Sequence, residues 1–141
     1  MSNMSLPYRM NVFVDDHRKV MVLRVIGPMP GDEYAERLFE AYGGVADAWN
    51  YARLMDFRRF EGELSFRQIE AIAERWKTMT ADVDYCGKVA VVSTDPLDAV
   101  RVPAVSPQFP KETVCHFRDF YEAMDWLTAP DAEGEARALA G

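Results

Sequence analysis

The chain predicts an α/β domain built on one mixed, five-stranded sheet, and three observations carry that expectation. β-rich runs alternate with stretches whose apolar residues recur at helical spacing, in the order β-β-α-β-α-β-(short α)-β-α, the pattern of strands joined by crossover helices. The run Lys88 to Ser93 is almost continuously apolar, as a strand covered on both faces must be. At 141 residues the chain has the size of one domain and can bury roughly 68–70% of the surface its unfolded chain exposes, so it needs neither a metal nor a disulfide staple.

Met10 to Asp15 and Val20 to Ile26 are β-rich and joined by Asp16-His17-Arg18-Lys19, a polar connection short enough for a hairpin, so the first strand runs antiparallel to the second. Gly27-Pro28-Met29-Pro30-Gly31 breaks the second strand, and Asp32-Glu33 then places acidic groups at the positive dipole end of the next helix. Tyr34, Ala35, Leu38, Ala41 and Tyr42 fall on one face of that helix, Gly43-Gly44 offers a left-handed stop, and a second short helical piece covers Val45 to Trp49. Ala52 to Asp56 is the next strand.

Ser65-Phe66-Arg67-Gln68 matches the capping box, in which serine and glutamine reciprocally satisfy backbone donors at a helix start. Phe66, Ile69, Ile72, Ala73, Trp76 and Met79 then form an apolar stripe opposed by Arg67, Glu70, Glu74 and Lys77. Asp95-Pro96 supplies an N-cap and a first-turn proline for a short helix. Pro103, Pro107 and Pro110 predict a long loop between Arg101 and Glu112, of a length that is often functional. Thr113 to Phe117 is the last strand, and Phe120, Ala123, Met124 and Leu127 give a final amphipathic helix that Pro130 ends. One domain over 1–129 is expected, with 130–141 as a frayed tail whose one large apolar residue is Leu139. Right-handed crossovers would gather the strand carboxyl ends on one edge, carrying Pro28 to Pro30, Phe57 to Glu61, Ser93 to Asp95, and Arg118 with Asp119.

Composition narrows the function classes. A net charge of −7 opposes binding to nucleic acid or anionic lipid over the whole surface, and no run of basic residues exceeds two, so no nucleic-acid partner is expected. No apolar run approaches the roughly 18 residues that span a bilayer. Met1 to Pro7 lacks the basic-then-apolar pattern of a secretory signal, so a cytoplasmic location is expected. Cys86 and Cys115 make no disulfide framework and no Cys-x-x-Cys motif, and Cys115 precedes His116 on a strand, where neighbours point to opposite faces and cannot converge on one metal. Both thiols are expected to be buried and reduced, and no metal or other cofactor is expected.

The residues together resemble a known family. Val25-Ile26-Gly27-Pro28-Met29 before a helix, Met55-Asp56-Phe57 with Phe60-Glu61-Gly62 after a strand, Val89-Ala90-Val91-Val92 in the core, and a closing Phe117 followed by Glu122-Ala123-Met124-Asp125-Trp126-Leu127 look like the SpoIIAA-like family. That family is related to STAS domains and is compared structurally with CRAL-TRIO lipid-binding domains. The match covers roughly Met10 to Leu127 and is a sum of weak motifs. It implies a STAS-type fold in a binding or regulatory protein. Anti-sigma-factor antagonists carry a phosphorylatable Asp-Ser-Ser/Thr-Gly motif where this chain has Glu61-Gly62-Glu63-Leu64-Ser65, so the motif is absent here.

The segment Arg53 to Ser65 is where a strand runs into a capped helix, and it supplies the candidate site. Arg58 and Arg59 beside a helix N-terminus could hold a carboxylate or phosphate, with Ser93 and Thr94 adding hydroxyls from the neighbouring strand end. The competing reading makes the arginines ordinary ion-pair partners of Asp56, Glu61, Glu63 or Asp95. Ser65 is expected to be a helix cap, with a phosphorylation site as the alternative. The histidines are His17, in a surface hairpin, and His116, inside a strand, and no nucleophile–base set or phosphate loop accompanies them, so no catalytic activity is expected. Phe57, Phe60, Phe66, Phe109 and Phe117 cluster in pattern around the proposed edge, mostly as core and in part as the lining of a pocket. The expected function is a non-catalytic binding module for an apolar or amphipathic, lipid-like ligand with an anionic head near Arg58 and Arg59. The alternative is a protein–protein regulatory module docking on the same edge, and a homodimer is compatible with either.

Overall fold

The structure, a computed structural model, describes residues 6–130, so all of the predicted tail but Pro130 lies outside the described residues. Strands β1 (Arg9–Asp15) and β2 (Val20–Gly27) pair antiparallel, with Asp15 opposite Val20. Asp15 holds the turn between them by accepting hydrogen bonds from the Arg18 backbone N–H and from Arg18 Nε, each at 2.9 Å. Strands β3 (Ala52–Phe60), β4 (Gly87–Val92) and β5 (Glu112–Phe117) run parallel to β2, and their order in the five-stranded sheet is their order in the chain.

That order decides where the helices go. Crossovers of one hand that always step in the same direction emerge on one face of the sheet. Helices α1 (Gly31–Gly43) and α2 (Phe66–Met79) accordingly share one core cluster with Met21, Leu23, Met55 and Val89 of the sheet. Helix α3 (Asp98–Val105) lies against β5 and meets the same face. Helix α4 (Phe120–Thr128), which follows the last strand, seals the other face through Ala123 and Leu127 against Leu54, Ala90 and Val92. Strand order never reverses, so the sheet has no switch-point crevice of the kind that holds ligands in doubly wound folds.

Several predicted details are corrected. Strand β3 does not end at Asp56 but continues through Phe57, Arg58, Arg59 and Phe60, because β2 still offers partners to pair with: Ile26 stands opposite Arg59 and Gly27 opposite Phe60, past a register shift after Arg24. Gly43-Gly44 is no left-handed stop; Gly44 has φ −83° and closes α1 through its N–H to the carbonyls of Ala41 and Tyr42. The left-handed glycine among the described residues is Gly27 (φ 84°), where a Cβ would lie 2.2 Å from the Pro7 carbonyl oxygen. The short helical piece is a 3-10 turn over Ala48–Asn50, slightly later than expected.

The long loop predicted after Arg101 is replaced by α3 and a 3-10 turn over Ser106–Gln108. Pro103 sits inside α3 because Pro103 and Ala99, whose carbonyl it leaves without an N–H, are both exposed, so solvent serves that oxygen. Asp95 does not cap α3 directly; its carboxylate accepts from the Leu97 N–H at 3.0 Å, a turn ahead of the helix. Of the α2 stripe, Ile72, Ala73 and Trp76 are buried, whereas Phe66 and Met79 at its ends are exposed. Cys86 and Cys115 are free thiols, but Cys86 is exposed rather than buried, since it lies one residue before β4 and outside the paired ladder. Cys115 is half-buried.

Candidate functional site

A cavity of about 520 Å³ lies between the helix-bearing face of the sheet and the helices above it. Met55, Val89, Val91 and Val114 form its base on the sheet; Leu38 and Tyr42 of α1 and Ile72 and Trp76 of α2 form one wall. Val102 and Val105 of α3, with Phe109 behind them, form the opposite wall. The alternation of β3 explains the base: Arg53 and Met55 face the cavity side while Leu54 and Asp56 face α4. Tyr34 is buried in the same wall and donates to Met55 Sδ at 3.6 Å; burial pushes its phenol far above the ordinary value, so it stays neutral.

The floor carries a charged pair that sequence reasoning missed. Arg53 and Glu112 are both buried and form an ion pair through Nη2 and Oε2. Arg53 also donates from Nη1 to the Tyr42 hydroxyl at 3.0 Å, and its guanidinium lies 4.1 Å from the centre of the Trp76 ring. Glu112 starts β5 opposite Gly87 and must cross β4 to reach β3. Glycine makes room for that path: a Cβ at Gly87 would stand 3.1 Å from Glu112 Oε2. A signal for the pair exists in the sequence, since Arg53 shares the parity of Met55 on its strand, but a charged residue there looks like a strand end until its partner is known.

The predicted site residues are only partly brought together. Arg58 borders the cavity mouth, but its guanidinium is spent on Asp56, with Nε to Oδ1 at 2.9 Å and Nη2 to Oδ2 at 2.8 Å, and it stacks over Phe120 of α4. Arg24 Nε adds a third contact to Asp56, at 2.8 Å. Burial alone would push the Asp56 carboxyl up, but the hydrogen bonds from Arg58 and Arg24 together outweigh it and hold the group below its ordinary value. The same bond to Asp56 raises Arg58 above its ordinary value. Arg59 is exposed, lies outside the cavity lining, and its side chain has no hydrogen bond or ion pair among the described residues. The ion-pair reading therefore describes Arg58, and the two arginines do not converge.

Ser93 and Thr94 do reach the mouth. The buried Ser93 hydroxyl is occupied, donating to Asp98 Oδ2 at 2.5 Å and accepting from the Asp95 N–H at 3.1 Å, whereas Thr94 is exposed. Arg101 of α3 faces Asp95 and Asp98 across 3.5 and 3.4 Å. Ser65 stands apart from the lining and caps α2: its Oγ accepts from the Gln68 N–H at 3.1 Å while Gln68 Oε1 accepts from the Ser65 N–H at 2.9 Å. Gln68 also reaches Asp32 in the first turn of α1, so the capping box ties the two helix starts together. Cys115 and His116 point to opposite faces as expected; His116 Nε2 lies 3.2 Å from the Ser93 carbonyl. Among the described residues no group of three or more His, Cys, Asp or Glu side chains is placed to hold a metal, and no helix is long and apolar enough to cross a membrane.

With this geometry in hand the chain can be set against known structures. It superposes on the crystal structure of an uncharacterised protein of the DUF3478 family from Shewanella loihica PV-4, described as having a SpoIIAA-like fold, with a TM-score of 0.61 over 90% of this chain and 98% of that one. The fold is SpoIIAA-like. Identity between the two chains is 16%, so the likeness speaks for the SpoIIAA-like arrangement of strands and helices and not for a shared ligand. No family model matches the chain, and no curated protein does. Within this SpoIIAA-like fold, the start of α2 is an ordinary capping box and the apolar cavity is the feature with room for chemistry.

Proposed function

We propose that the chain is a non-catalytic binding module that takes a mostly apolar small molecule, lipid-like in shape, into the cavity between its sheet and α1, α2 and α3. The cavity itself supports this reading: its volume of about 520 Å³ falls in the range of roughly 300–1,000 Å³ that small-molecule sites occupy, and its walls are aliphatic and aromatic. An anionic head beside Arg58 would have to compete with Asp56 for the guanidinium, and one beside Arg101 with Asp95 and Asp98. Native mass spectrometry of protein isolated from its own host tests the reading. A retained small-molecule mass that disappears in Val102→Trp, which narrows the cavity, supports it; parent protein that carries no small molecule and binds no apolar dye refutes it.

A second reading, a regulatory module that docks a protein partner, is favoured by α3 and the turn before it, where Val100 is 72% exposed and Leu97 57% exposed. Val100→Asp should abolish partner binding on that reading and leave ligand retention intact on the first.

A further inference from the structure

We infer that β1 is the seam of a homodimer, in which two copies of this chain pair their first strands antiparallel and join their sheets into one continuous sheet. The inference is independent of what the cavity holds. β1 lies at the edge of the sheet, so every second residue turns its backbone N–H and C=O outward, where no partner meets them among the described residues. β5, the opposite edge, has α3 packed against it. Edge strands are ordinarily blunted by a proline, a bulge or a charge in mid-strand. β1 has none of these: it runs Arg-Met-Asn-Val-Phe-Val-Asp, pairs with β2 along its whole length without a register shift, and keeps its charges at its two ends. In its middle Val12, Phe13 and Val14 are 40%, 56% and 40% exposed.

The strand is complementary to itself in one register. A two-fold axis perpendicular to the sheet keeps the α1 side of one copy with the α1 side of the other, so paired residues must share a face and their numbers must both be odd or both even. Centring the axis on Val12 pairs the strand from end to end: Arg9 meets Asp15, Met10 meets Val14, Asn11 meets Phe13, and Val12 meets Val12 of the second copy. Opposite charges then close both ends. Met10, Val12 and Val14 stand opposite Val25, Leu23 and Met21 on the α1 side, so the two copies merge them into one apolar strip. Moving the axis to Asn11 or Phe13 sets Arg9 against Phe13 or His17 and Asp15 against Pro7 or Asn11, and neither charge finds its opposite. Glu33, Glu36 and Glu40 of α1 line a groove beside Met10 and Val12, with Arg37 among them, and two such flanks stand on either side of the axis. Their repulsion keeps the association modest, in the micromolar range.

Sedimentation velocity of the full chain over a concentration series should show a monomer–dimer equilibrium. Arg9→Asp and Asp15→Arg each set like charges together at both ends of the seam and should weaken self-association about fivefold or more, while an equimolar mixture of the two restores opposite charges and should form a heterodimer. Circular dichroism checks that each variant folds, because Asp15 also holds the hairpin turn through Arg18. Cysteines read the register without touching charge. In a Cys86→Ser background, Val12→Cys should form an intermolecular disulfide across the axis under mild oxidation. Val14→Cys is equally exposed but stands opposite Met10, about 13 Å along the strand from its counterpart, and should not crosslink. A chain that stays monomeric up to about 100 μM would leave the edge to a strand of another protein and overturn the inference. Equal crosslinking at both positions, or a dimer that neither charge exchange weakens, would overturn it by placing the contact in another register or on another face.

Discussion

Breaking the Arg53–Glu112 pair from one side should destabilise the chain far more than removing it whole. Arg53→Met leaves the Glu112 carboxylate fully shielded from solvent with its one cation gone. Removing one partner of a buried pair typically costs about 3–5 kcal/mol, which is a fifth or more of the roughly 5–15 kcal/mol that holds a domain of this kind together. In Arg53→Met/Glu112→Leu no charge remains, and replacing a buried pair by apolar side chains is often neutral or stabilising by about 1–4 kcal/mol. Against that gain stand the lost hydrogen bond to Tyr42 and the lost stacking on Trp76, each of order 1 kcal/mol, so the double variant should lie close to the parent. The assay is urea unfolding followed by tryptophan fluorescence, for which Trp76 is a local reporter, with equal m-values required before stabilities are compared. A loss below about 1 kcal/mol in Arg53→Met would mean that the carboxylate finds water, and the account of a dry, paired floor would fail.

Further outcomes follow from the same geometry. Asp56 has a depressed carboxyl pKa in the folded state, so its stabilisation is present above the unfolded value near about 3.9 and is lost as pH falls through the folded value; Asp56→Asn should flatten the stability profile below about pH 4 in acid titration by circular dichroism. Ser65→Ala should cost about 1 kcal/mol in chemical unfolding and Ser65→Asp much less, because aspartate also caps. Gly27→Ala should cost about 1–3 kcal/mol in thermal unfolding, both from its left-handed backbone and from the close Pro7 carbonyl. In native protein a thiol reagent should label exposed Cys86 well before half-buried Cys115, and equal rates would contradict the packing of β5.

The parts of the fold that depend on local pattern were legible in the sequence. The hairpin, the β3–α2–β4 order and the Ser65 capping box follow from alternation, turn residues and cap spacing, which act within a few residues. The misreadings came where a distant partner overrules local composition. Arg58 and Arg59 read as loop because charges cluster there, yet β2 supplies a pairing edge for them. Pro103 and Pro107 read as loop because proline removes a donor, yet an exposed helix can leave the freed carbonyl to water. The candidate site was legible as a neighbourhood, the strand ends at Phe57 and Ser93, and not as a set of groups. Which guanidinium is free depends on Asp56 facing α4, and the charged floor depends on Gly87 letting Glu112 across; both are tertiary facts with no local mark.

The sequential strand order also bears on how the chain reaches its native state. Every strand after the first pairs with the one made just before it, so no strand has to insert between two already joined, and a chain emerging from its N-terminus can extend the sheet one edge at a time. The face under α1 and α2 can be covered as each crossover forms, while the opposite face waits for α4, the last described helix, to bring Ala123 and Leu127 onto Leu54, Ala90 and Val92. Until that helix docks, a growing chain presents a bare apolar sheet face, and the docking of α4 is the step that ends its exposure to aggregation.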